Sequence, residues 1–332
     1  MANPAPPAVQ SSGTLPDRFT IEFVAGAAPK SHEWLEAGCR EDDGFCWYAT
    51  RRDSEGARSA LEGLGLDELT LEALFAEETR PRFAVHDEGI ILILRGVNLH
   101  PGAEPEDMIS VRIWADRRKV VCVWLRSLKA MEDLLDNTAR GVSYSNPVEL
   151  IAKLALRLAD RAEPLVSTLN EKLDLFEGGI EEANSASLRR DLADVRKTAI
   201  ILRRYMFPQR DALTTFEIED LSWDSREDRH LIKEAGNRVT RLAEELEAIR
   251  ERASVIHDEL LARQSDALNH RMLTLSVVAA IFLPLSLLSG LLGMNVGGMP
   301  GVESPWGFWI STGLIVALGL AQYWVLKKLK LF

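Results

Sequence analysis

The sequence predicts an α+β membrane protein: an N-terminal cytoplasmic α/β domain with a mixed sheet, a long stalk helix, and two C-terminal transmembrane helices. Three observations carry this. Charged residues make up 27% of the chain, yet between Met272 and Leu326 the sole charge is Glu303. Short β-rich runs fill the first third, and apolar residues at alternating steps of four and three fill the region before Met272.

The first seventeen residues, opening Met1-Ala2-Asn3-Pro4-Ala5-Pro6-Pro7, lack a basic start followed by an apolar run. They read as a disordered arm rather than a secretory signal, which leaves the body in the cytoplasm. Residues 18–145 are expected to form the α/β domain. Its strand candidates are Phe19 to Val24, Gly89 to Leu94, Ile109 to Trp114 and Val120 to Trp124, bounded by Gly, Asp and Pro. Leucines at helical spacing mark a helix over Ala60 to Glu78, and Asp116-Arg117-Arg118 reads as a hairpin connection.

After Ser145-Asn146-Pro147 the pattern becomes helical, with Asn146 as N-cap and Pro147 in the first turn. Residues 146–221 form a helical region. One helix is expected over Val148 to Phe176, kinked or interrupted at Pro164, and another over Ser187 to Phe207, ending before Pro208. The stalk, residues 222–271, begins near Ser222-Trp223-Asp224-Ser225. Its seam is Ala235, Val239, Leu242, Leu246, Ile249, Ala253, Ile256 and Leu260, the spacing of helices packed side by side. The seam suits packing against the two preceding helices or self-association about an axis. No Pro or Gly interrupts Asn237 to Phe282, so the stalk is expected to run into the membrane.

Residues 272–294 and 308–326 are long and apolar enough to span a bilayer. Trp306, Trp309, Tyr323 and Trp324 anchor the second span. Arg263 and Arg271 precede the first span, Lys327, Lys328 and Lys330 follow the second, and the loop 295–307 has no Lys or Arg. The positive-inside rule therefore puts both termini, including the tail 327–332, in the cytoplasm and the loop outside. Two helices cannot enclose a pore, so either the hairpin is an anchor or several copies assemble around a central path. Thr274, Ser276, Ser286, Ser289 and Gly290 in the first span suit close helix contact or a wet lumen. The loop Gly297-Gly298-Met299-Pro300-Gly301 is unusually glycine-rich for a simple exposed turn.

The arrangement resembles the CorA family of metal-ion transporters, marked by Gly293-Met294-Asn295 at the outer end of the first of two C-terminal spans. The resemblance covers essentially the whole chain and implies a homopentamer in the cell inner membrane, with membrane lipid, its own copies and divalent cations as partners. Thr79-Arg80-Pro81-Arg82, the segment Arg203 to Asp211 and the loop from Asn295 to Gly301 are similar to the zinc-transport branch, ZntB. Typical magnesium members carry Tyr before the motif and an acidic residue soon after the loop proline, where this chain has Leu292 and Gly301. Zinc uptake, possible proton coupling and transport without a bound cofactor are what the resemblance implies. The alternatives are a magnesium, cobalt or nickel channel of CorA type and a non-transporting scaffold or sensor.

Asn295 presents an amide oxygen, and a ring of such acceptors can hold a hydrated cation without trapping it. The other reading is that Gly293 ends the helix in a left-handed cap and Asn295 serves the turn. Placed by distance from Asn295, the family's pore positions fall on Ser286, Leu283, Leu275 and Met272, whose spacing keeps them near one helical face. Lipid or helix contact is the competing role. Glu303 is expected to attract cations to the mouth, or to be an ordinary loop acid. Between Met272 and Gly307 there is no His, Cys or Asp, so zinc would cross hydrated or on oxygen ligands. His257 and His270 on the stalk could offer imidazole, whereas His32, His86, His100 and His230 read as surface or structural groups.

Cys39, Cys46 and Cys122 lack metal-type spacing and read as reduced structural thiols. A net charge of −11 argues against nucleic acid, and no phosphate-binding loop is present to suggest an enzyme.

Overall fold

The computed structural model describes residues 15–34, 44–77, 80–179, 185–294 and 304–328. Seven strands form one mixed sheet: β1 (Arg18–Val24), β2 (Lys30–His32), β3 (Gly44–Arg51), β4 (Arg82–His86), β5 (Gly89–Gly96), β6 (Ile109–Ala115) and β7 (Lys119–Trp124). Their order is β2-β1-β3-β7-β6-β5-β4, and among the described residues the only parallel neighbours are β3 and β7. The four strand runs read from the sequence are all present. The connection at Asp116 is a tight hairpin in which Oδ1 accepts from the backbone of Arg118 and Lys119, both at 2.7 Å.

The leucine run after Ala60 forms two short helices instead of one, α1 (Ala57–Glu62) and α2 (Glu68–Phe75). Gly65, at φ +83°, turns the chain between them, a backbone region open to glycine and costly for other residues. Asp67 then caps α2 by accepting from Thr70 N at 2.9 Å. These helices cover one sheet face, with Leu61, Leu64, Leu71 and Leu74 packed on Tyr48, Val121 and Val123. On the opposite face Gly96 gives way to α3 (Lys129–Ala139) and α4 (Pro147–Gly179). A Cβ at Gly96 would lie 2.7 Å from Leu158 and 2.8 Å from Leu128.

Asn146 caps α4 as expected, its Oδ1 accepting from Glu149 N at 2.9 Å. The expected stop before Pro208 fails, as does interruption, one of the two alternatives expected at Pro164. Helix α4 runs unbroken through Pro164, and α5 (Ser185–Ile218) runs through Pro208. Tertiary contacts outweigh the one lost hydrogen bond at each proline. Beyond Pro208, Gln209 is buried and its Oε1 accepts from Arg95 N of β5 at 2.7 Å, while Phe216 stacks on Phe83 of β4.

Helix α6 (Arg226–Leu292) starts at a reciprocal cap: Ser225 N donates to Asp228 Oδ2 at 2.9 Å, and Asp228 N donates to Ser225 Oγ at 3.1 Å. Asn146 Nδ2 also donates to Asp228 at 2.8 Å, so one buried carboxylate fixes the starts of α4 and α6. The predicted seam, Ala235 through Leu260, is buried throughout. On its flanks Arg238 pairs with Asp160, Arg241 with Glu163, and Arg252 with Asp174 and Glu177, all on α4, while Arg203 on α5 pairs with Glu247. The seam thus packs inside the chain, against the two preceding helices. Contacts divide the chain into two units, Met1–Ile256 and His257–Phe332. The second contains the C-terminal part of α6 and helix α7 (Gly307–Lys328).

Cys46 and Cys122 are buried and form no disulfide among the described residues. Burial pushes the Cys122 thiol up to about 12 and Trp47 Nε1 donates to its sulfur at 3.3 Å, consistent with an inert thiol. Cys39 lies outside the described residues.

Candidate functional site: the apolar hairpin

Two helices, α6 and α7, carry stretches long and apolar enough to cross a membrane, and almost none of either stretch is buried within the chain. One threonine in each turns its hydroxyl back onto the backbone. Thr274 Oγ1 donates to His270 O and Thr312 Oγ1 to Phe308 O, each at 2.9 Å. Such bonds keep hydroxyls satisfied where water is absent.

Pro284 sits inside α6 and has no N–H to give Ala280, four residues earlier. The amide of Gln322 on α7 supplies a donor instead, Nε2 reaching Ala280 O at 3.5 Å. Nearby, Leu285 lies over Gly319, whose missing side chain leaves 3.8 Å between the leucine and a hypothetical Cβ. Val277 is the one residue of this stretch that is fully buried among the described residues. The α7-facing side of α6 is therefore the side of Val277, Ala280 and Leu285.

Met272, Leu275, Leu283 and Ser286 are all exposed. At 3.6 residues per turn they fall within about 80° of one another, and that arc is nearly opposite the α7-facing side. The structure thus groups the four on one free face of the hairpin.

Gly293 is not in the left-handed region, which removes the expected left-handed cap. Its N–H still bonds Ser289 O at 2.9 Å, and a Cβ there would come within 3.2 Å of that same oxygen. A close approach of backbone, and not a positive φ, favours glycine at the end of α6. Met294 follows, exposed, with its N–H on Leu291 O at 3.4 Å. Asn295, Gly297, Gly298, Met299, Pro300, Gly301 and Glu303 lie outside the described residues.

Of the stalk histidines, His257 is half-buried and His270 exposed. Neither belongs to a group of three or more metal-type ligands among the described residues. Such a group does form elsewhere, from Asp67, His86 and Asp87. Sequence spacing hid it, because Asp67 stands nineteen residues from His86 and only the fold joins them.

Residues 42–328 match the family model described as CorA-like Mg2+ transporter protein. The chain belongs to the CorA family. The divalent cation transporter CmaX of Pseudomonas aeruginosa is 41% identical over 271 residues, covering 81% of this chain and 82% of the relative. The zinc transport protein ZntB of Pectobacterium atrosepticum is 33% identical over 286 residues, 86% of this chain and 87% of that one. Among solved structures, full-length CmaX superposes with a TM-score of 0.82 at 35% identity, covering 95% of this chain and 98% of its own. The CorA magnesium transporter of Methanocaldococcus jannaschii, at 16% identity and TM-score 0.79, shares the fold over 93% of this chain and 97% of its own. At the family's level of description this CorA-type chain is a divalent-cation transporter, and the expected α/β domain, long helix and C-terminal apolar pair are those of the family.

Proposed function

We propose that this CorA-family chain carries zinc into the cell across the inner membrane, through a central path lined by the C-terminal part of α6 from several copies. The observation that carries this reading is the free face of the hairpin. Met272, Leu275, Leu283 and Ser286 are exposed on the side of α6 turned away from the α7 contact. Two helices enclose nothing alone, and a ring of copies with α7 outside would direct that face to the axis. A homopentamer is the assembly the family resemblance implies, with both termini in the cytoplasm.

In this reading Leu283, Leu275 and Met272 form apolar constrictions and Ser286 a polar ring, while Gly293-Met294-Asn295 sets the entrance. Asn295 offers amide oxygens to a hydrated ion, and Glu303 concentrates cations at the outer mouth. The absence of His, Cys and Asp from Met272 to Gly307 means that the ion crosses hydrated or on amide, hydroxyl and carbonyl oxygens. Zinc as cargo is supported by the ZntB relatives and by Leu292 and Gly301 at positions where magnesium members differ.

Liposomes holding the purified chain test the reading. Zinc uptake exceeding magnesium uptake, and its loss in Asn295→Ala, is expected. Equal or greater magnesium flux transfers the cargo to the CorA-type magnesium alternative, and no flux of any divalent ion favours a scaffold. Proton coupling has its own measurement, since zinc uptake indifferent to an imposed pH gradient would remove it.

A further inference from the structure

We propose that Asp67, His86 and Asp87 form a second, cytoplasmic-domain binding site for a divalent transition-metal ion of the zinc kind. The site does not depend on which ion crosses the membrane. Its donors are Asp67 Oδ2, His86 Nε2 and Asp87 Oδ2, and ligand atoms of the three residues all lie within 4.8 Å of one another.

Three structural devices converge there. Asp67 is the N-cap of α2, and its Oδ1 is engaged by Thr70 N, which holds the carboxylate in place and leaves Oδ2 directed at His86. His86 ends β4, paired with Gly89 across the hairpin, so Asp87 and Glu88 form the two-residue connection. Asp87 occupies that turn at φ +50°, a left-handed conformation that Asp tolerates better than most residues. Its Oδ2 stands 3.7 Å from His86 Nε2.

The charge around the site singles it out. Asp67 and Asp87 pair with His86, and neither has a Lys or Arg partner among the described residues. The adjacent Glu68, by contrast, pairs with Arg58. Two carboxylates thus share one imidazole, leaving net negative charge for a cation. The metal would take the place of the Nε2 proton, which leaves to solvent. Zinc bonds to nitrogen and oxygen of about 2.0–2.2 Å place donors closer together than 4.8 Å. The required closure falls on Asp87, whose side chain is 80% exposed and free to swing. One imidazole and two carboxylates suit zinc, cobalt or nickel, whereas magnesium prefers oxygen alone. Water would fill the remaining positions.

Equilibrium dialysis of the detergent-solubilised full chain against zinc alone tests the site. The informative variant is Asp67→Asn with Asp87→Asn. Asn is as good an N-cap as Asp and also tolerates a left-handed φ, so the fold is retained while both anionic donors are lost. The expected result is one zinc ion fewer per chain than wild type, with no change for Glu68→Gln. Cobalt should give a visible absorption band in wild type that the double variant lacks. Excess magnesium should leave the band intact. Equal zinc stoichiometry and affinity in wild type and a folded double variant would overturn the site, and displacement by magnesium would overturn its transition-metal character. If circular dichroism finds the double variant unfolded, Asp87→Asn alone, at an exposed turn, decides by the same reading.

Discussion

The two ends of helix α6 use the same apolar alphabet for opposite purposes. The seam residues Ala235, Val239, Leu242, Leu246, Ile249, Ala253 and Ile256 are at most 3% exposed, facing α4 and α5 and flanked by Arg–carboxylate pairs. From Met272 to Leu292 the apolar residues are mostly exposed, Leu275 at 71% and Leu283 at 72%. A seam one residue wide, interleaved with charge, is completed inside the chain. A helix apolar on all sides is not completed inside the chain and needs apolar surroundings from outside it.

The sharpest way to break this comparison is to truncate one leucine from each end. Leu246→Ala should destabilise the N-terminal unit by about 2–5 kcal/mol, the range for a fully buried leucine, read by denaturant unfolding of the full chain. Leu283→Ala should leave that transition unmoved and, if the proposed constriction holds, raise divalent-cation flux. A seam variant with no stability loss would mean that the seam's partner is another copy.

Next in size is the start of α6. Ser225→Ala removes the Oγ that accepts from Asp228 N and should cost about 0.5–2 kcal/mol, measured in the same unfolding experiment. In the hairpin, Gln322→Leu leaves the Ala280 carbonyl that Pro284 orphans without its donor. Interhelical hydrogen bonds in membranes contribute about 0.6 kcal/mol on average, so a small loss of resistance to SDS unfolding is expected. Smallest is Arg252→Gln, which severs exposed pairs to Asp174 and Glu177. A change of less than about 1 kcal/mol, fading with added salt, would mark the flank as secondary to the seam.

The sequence is most legible where one periodicity serves one purpose. The seam, the two spans, the cap at Asn146 and four strands follow directly from spacing and flanking residues. Strand β3, Phe45-Cys46-Trp47-Tyr48-Ala49-Thr50, is buried on both faces and so lacks the alternation that marks a strand beside solvent. Helix α5 was cut short because Pro208 is a local stop signal, whereas Gln209 and Phe216 hold the helix through contacts with β5 and β4 that spacing does not reveal. In the hairpin, the common face of Met272, Leu275, Leu283 and Ser286 is readable from periodicity. That α7 covers the reverse face required Gln322 and Gly319 to be placed in space. His86 looked isolated because its partner Asp67 is near only after the hairpin and α2 have folded.

The lone parallel pair, β3 beside β7, divides the sheet into two sets of strands that are otherwise antiparallel. Strands β4 to β7 form a meander of successive hairpins that can assemble as it leaves the ribosome. Strand β3, made earlier, must wait for residues 52–118 and then for β7 before its second edge is satisfied. Until β7 is made this aromatic strand has one open edge, while the apolar stretches have yet to be translated. Every strand of the sheet is made before the apolar stretches of α6 and α7, so a slowed pairing of β7 would leave an aggregation-prone edge before those stretches exist.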